Sequence, residues 1–126
     1  MWRCARVAVV GLALLACARA DDPVQRLRAW FDIVGAEEPD QLRVQLLAAM
    51  PPGTTEDALV KRFAHAGIGS GGRAGKWVRL ENPHRFLVRT GRGGKGWVEH
   101  EYALTFLFAV NGRLNDIKVE KWLTGP

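Results

Sequence analysis

The sequence predicts an α+β fold: two to three N-terminal helices packed on one face of an antiparallel β-meander of about four strands. Two observations carry this. Apolar residues recur at helical spacing through the first half of the chain after residue 20, and from Lys76 onward the period changes to two. The size agrees, because 126 residues with 48% hydrophobic and 25% charged side chains suit one domain with one core.

The elements follow in order. Asp22-Pro23 reads as an N-cap followed by Pro at the first helical position. Val24, Leu27, Trp30, Phe31 and Val34 then keep helical spacing, and Gly35 supplies a stop. A second helix is predicted from Pro39 to Ala49, burying Leu42, Leu46 and Leu47, and Met50-Pro51-Pro52-Gly53 breaks it. Thr54 with Asp57 three residues later predicts a capping box. The third helix it opens carries the stripe Leu59, Val60, Phe63 and Ala64, and ends at Gly67.

Lys76–Glu81 and Arg85–Thr90 read as short strands around the turn Asn82-Pro83-His84. In the next segment Val98, Tyr102, Leu104, Phe106, Phe108 and Val110 share one parity, which turns that face toward the helices. Asn111-Gly112 predicts a type I′ turn, because both residues tolerate positive φ. In the closing strand Leu114 and the pair Ile117 and Val119 have opposite parity, so a bulge is expected near Asn115-Asp116.

Residues 1–20 read as an export signal and residues 21–126 as a single envelope domain. Arg3 and Arg6 precede an uncharged apolar run from Val7 to Ala16. As a helix this run rises about 15 Å, half the hydrocarbon core, and no later stretch is long enough to span a bilayer. Two cuts are open. Ala18-Arg19-Ala20 suits ordinary signal peptidase, whereas Leu14-Leu15-Ala16-Cys17 resembles the lipobox of bacterial lipoproteins. That resemblance implies cleavage before Cys17, lipid (palmitate among its chains) on that residue, and, with Ala18 next, an outer-membrane location facing the periplasm. Either way the domain after Ala20 contains no Cys, so burial alone must stabilise it.

Catalytic material is scarce, and no enzyme and no cofactor are expected. Gly91-Arg92-Gly93-Gly94-Lys95-Gly96 matches the dinucleotide fingerprint letter for letter. That fingerprint joins a strand to a helix whose N-terminus faces the pyrophosphate, and here a strand follows instead. The Ser70–Trp77 segment resembles a phosphate loop but has Trp77 where the Mg²⁺-binding hydroxyl is needed. Ser70 is the only serine, and His65, His84 and His100 show no metal-ligand spacing. Glu99 and Glu101 share one side of a strand and read as a charged outward face.

Charge is more informative. Residues 21–60 carry three basic and eight acidic side chains, whereas residues 61–95 carry nine basic and only Glu81 acidic. Arg79, Arg89, Arg92, Lys95 and Trp97 form the expected contact surface, with Arg73, Lys76, Arg85 and Trp77 around them. An envelope protein or anionic lipid headgroups suit such a surface. Nucleic acid is not expected of an exported protein. The alternative is that these charges solvate short edge strands and pair with the acidic helices.

The order of features, with Pro52-Gly53-Thr54-Thr55-Glu56-Asp57-Ala58-Leu59-Val60, Tyr102-x-Leu104-x-Phe106 and Asn111-Gly112-Arg113-Leu114, resembles the BamE/SmpA small outer-membrane lipoproteins over about residues 51–119. It is also similar to the wider group with the β-lactamase-inhibitor-protein type of fold. The chain differs from them in two additional helices before Pro51 and in a Gly-rich run from Gly67 to Gly75. The resemblance implies a non-catalytic domain that binds another protein through its sheet and loops, for BamE in outer-membrane assembly. The expected function is therefore an envelope lipoprotein serving as a protein-binding or scaffolding module. The alternative is a soluble periplasmic or secreted enzyme inhibitor released by the cut after Ala20.

Overall fold

In the computed structural model, residues 22–95 and 98–124 are described. Helix α1 spans Pro23–Phe31, and Asp22 caps it as expected, its Oδ1 accepting from the Val24 amide at 3.1 Å. It ends earlier than the spacing suggests. Asp32 takes a left-handed conformation (φ 55°) and stops the helix, which leaves Val34 exposed in the connection instead of on the apolar stripe. Helix α2, Pro39–Ala49, has the predicted bounds and buries Leu42 and Leu46.

Helix α3, Glu56–His65, starts one residue later than the proposed capping box requires. Thr55 is the N-cap, its Oγ1 accepting from the Ala58 amide at 3.2 Å. The Thr54 hydroxyl donates instead to the Pro51 carbonyl. Thr54 is held there because its backbone is bonded to the far end of the sheet: Leu114 N donates to Thr54 O, and Gly53 N to Leu114 O.

All strand pairings are antiparallel: β1 (Trp77–Leu80) with β2 (Arg85–Arg89), both β2 and β3 (Gly93–Lys95) with β4 (Val98–Phe108), and β4 with β5 (Leu114–Thr124). Because β5 occupies one edge of β4 along nearly its whole length, β2 and β3 share the other. They amount to one strand with an irregularity between them. From the pair Arg89–Ala103 to the pair Gly93–His100, one chain advances four residues and its partner three. The extra residue is accommodated at Gly91 (φ 84°) as a β-bulge. Thr90, fully buried, sews the bulge to β4, donating its amide to Tyr102 O and accepting the Tyr102 amide on Oγ1. The sheet is thus the expected meander, with β3 lying where the sequence reads as a loop.

The β4–β5 connection differs from the type I′ expectation. Gly112 N donates to Ala109 O and Ala109 N to Arg113 O, which closes a loop of three residues rather than two. Of the two turn residues only Gly112 has positive φ (79°), as a type I turn followed by a left-handed residue requires. The bulge expected at Asn115-Asp116 is present: Leu107 pairs with Asp116 and Phe108 with Leu114, leaving Asn115 without a partner on β4.

The three helices of the described residues pack on the face bearing Phe86, Val88, Tyr102, Leu104, Phe106 and Ile117. Phe63 of α3 sits at the centre, its ring 5.1 Å from that of Phe106 and 6.4 Å from that of Phe31. Trp77 stacks on Phe86 at 4.9 Å and belongs to this core. The Gly-rich segment after α3 lies along the free edge of β1, where Trp77 N donates to Gly69 O and Gly71 N to Trp77 O. That segment shields the edge from pairing with another strand.

Candidate functional site

The face of the sheet opposite the helices has no helix packed on it among the described residues. Its middle is apolar and half-buried, with Val78, Leu80, Leu87 and Leu107 on adjoining strands. Toward the end where β4 begins it becomes polar. There Arg89, Arg92, Glu101 and Trp122 line an open depression of about 100 Å³.

Each of these side chains arrives by strand geometry. Arg89 of β2 and Glu101 of β4 lie diagonally across the ladder, and Trp122 of β5 is the register partner of Glu101. Arg89 and Arg92 are three residues apart, so a regular strand would send them to opposite faces. The bulge at Gly91 restores them to the same face.

Glu101 is covered, with only 4% of its side chain exposed. One of its oxygens, Oε1, accepts from Arg89 Nε at 2.9 Å and from Nη2 at 2.7 Å. The Arg89 guanidinium also lies 5.6 Å from the centre of the Trp122 ring, and Trp122 remains 43% exposed. Arg92 is exposed and forms no hydrogen bond or ion pair among the described residues. Glu101 offsets one of the two guanidinium charges. The depression therefore offers one uncommitted cation beside an aromatic wall, an arrangement suited to an acidic group carried on an apolar body.

The predicted contact surface is only partly assembled. Arg89 and Arg92 come together. Arg79 does not join them: its register partner is Phe86, which places it on the helix side. There Nη1 meets Glu56 Oε1 at 2.8 Å and Nε meets Glu81 Oε1 at 3.0 Å. Arg79 thus follows the alternative reading, a basic strand residue neutralised by an acidic helix start. Trp77 likewise leaves the surface for the core. Lys95 closes β3, while Trp97 and Cys17 lie outside the described residues.

Glu101 and Trp122 are site residues that sequence reasoning missed. Glu101 was readable as outward-facing by parity, but its cover by Arg89 depends on the β2–β4 register. Trp122 gains the same face only because the bulge near Asn115 reverses the parity of β5.

His84 and His100 serve the fold. His84 Nε2 lies 3.1 Å from Glu56 Oε2, and its ring stacks on Phe108 at 4.7 Å, fastening α3 to the β1–β2 turn. His100 Nε2 lies 3.5 Å from Asp22 Oδ1. Among the described residues no three His, Cys, Asp or Glu side chains converge as metal ligands. Tyr102 is buried and donates to the Glu37 carbonyl at 2.7 Å. Burial first, and then the nearby charges of Glu38, Asp22 and Glu37, push its phenol up to about 12.

Among known proteins, no family model, no curated protein and no solved structure matches the chain.

Proposed function

We propose that this chain is an exported envelope lipoprotein, anchored through Cys17, whose folded domain binds a partner protein and performs no catalysis. The supporting observation is the face of the sheet opposite the helices, open among the described residues, where an apolar centre adjoins the uncommitted Arg92. A face of this kind has the anatomy of a protein contact: apolar in the middle, charged at the rim. The export reading rests on Arg3, Arg6, the apolar run from Val7 to Ala16, and the lipobox-like Leu14-Leu15-Ala16-Cys17. Within it, the resemblance to BamE makes outer-membrane assembly or maintenance the setting in which a partner would be met.

Two measurements test the reading. Labelled palmitate should be incorporated by the wild type and lost on Cys17→Ser; an unlabelled wild type with Asp21 as its N-terminus would favour the soluble inhibitor. A photo-crosslinking side chain at Leu87, on the open face, should capture one defined envelope protein in intact cells. The same group at Lys61, on the exposed side of α3, should not. Arg92→Glu should weaken that capture, less so at high salt. Capture of the same protein from both positions, or none from Leu87, would remove the open face from the account.

A further inference from the structure

The start of the described chain and the finish of β5 meet at one end of the sheet. Asp22 lies against His100, and His100 is the register partner of both Gly93 and Leu123. At this end two consecutive residues of β5 are exposed although large and apolar: Trp122 at 43% and Leu123 at 66%. Successive strand residues point to opposite faces, so Trp122 stands on the open face and Leu123 on the helix side. A protein laid flat on either face covers one of them and leaves the other in water. A surface that meets the sheet end-on covers both.

The chain itself supplies such a surface. Four residues, Ala18 to Asp21, separate Cys17 from Asp22. Even fully extended, that connection spans at most roughly 18 Å. A lipid on Cys17 therefore holds this end of the domain close against the headgroup layer. Trp and Leu carried beside a basic side chain, here Lys121, are the composition that such a layer accepts. Asp22 stands at the same end and Glu37 is bonded to Tyr102 there. The contact is accordingly apolar and aromatic in character and does not depend on net positive charge.

We propose that this end of the domain rests on the lipid surface in which Cys17 is anchored, with Trp122 and Leu123 seated among the headgroups. The proposal rests on the lipid anchor at Cys17. It stands the strands upright on the membrane and turns the open face sideways, where a neighbouring envelope protein can reach it.

The domain after Cys17 has no thiol, which makes a site-directed probe straightforward. Leu123→Cys is labelled with an environment-sensitive dye in the full-length product purified from bacterial membranes. It is then reconstituted into phosphatidylethanolamine and phosphatidylglycerol vesicles containing nitroxide-bearing lipid. Val110→Cys, exposed at the opposite end of the sheet, is the control. The dye at residue 123 should be quenched several-fold more than the dye at residue 110, with a blue-shifted emission. If protein of lipidated mass floats with the vesicles but both dyes are quenched alike, the orientation is wrong while the anchor stands. A product lacking the lipid mass overturns both.

Discussion

A carboxylate as covered as that of Glu101 needs donors for its oxygens, and Arg89 brings two N–H groups to one of them. Arg89→Met keeps most of the stem and removes both donors. Because the Arg89 side chain is itself 41% exposed, the loss should stay near the cost of an unsatisfied buried acceptor, about 1–3 kcal/mol in chemical denaturation. Adding Glu101→Gln should recover part of it. Arg92→Glu, with no partner to lose, should fall within about 0.5 kcal/mol of wild type. Charge reversal at Arg92 is therefore a clean probe of binding, whereas reversal at Arg89 mixes binding with folding. Tyr102 offers a second residue-level test, since it is the only tyrosine in the chain. Its phenol is raised from 10.0 to about 12, so the fold favours the neutral form. The stability this contributes is present in full below pH 10 and is lost as pH rises toward about 12. Absorbance of the phenolate band should titrate in that range, and in Tyr102→Phe the stability should decline less over the same interval.

Between elements, the bulge joining β2 to β3 is the feature on which the site depends. A Cβ on Gly91 would lie 3.2 Å from Ala74 Cβ and 3.3 Å from Arg26 Nη1, at a φ of 84° that L residues rarely adopt. Gly91→Ala should therefore cost about 1–3 kcal/mol and weaken any activity that uses Arg92. The start of α3 gives a contrasting pair: Thr55→Ala should lose about 1 kcal/mol as a missing cap, and Thr54→Ala clearly less, by thermal or chemical unfolding. Helices and strands were largely legible because their apolar residues repeat at the right period, and α2 has the predicted bounds. What stayed hidden was irregularity. Asp32 ends α1 by adopting a left-handed backbone that no spacing announces, and the Gly91–Gly96 run conceals β3 because its residues have almost no side chains to show a period. The site inherited this. Parity placed Glu101 outward, but joining Arg89 to Arg92 and to Trp122 required both bulges.

At the level of the whole molecule, the opposed charges of the two halves are partly spent internally. Arg79 and His84 meet Glu56, Arg43 meets Asp116, and Arg62 meets Asp32, so several links bind helices to the sheet or to each other. Most are solvent-exposed and contribute little each, which leaves the aromatic core around Phe63 as the main source of stability. With no Cys after Cys17, the melting temperature of the domain should be the same with and without reductant, as scanning calorimetry would report. The adjacency of Asp22 to the finish of β5 has a practical consequence for engineering. A short linker from Thr124 back to Asp22 would close the backbone into a ring, and new termini opened at Asn111-Gly112 would emerge at the far side of the molecule. The same distance separates an epitope tag inserted there from Asp22 and Leu123, so a reporter placed in the β4–β5 loop stays clear of whatever crowds that end of the sheet.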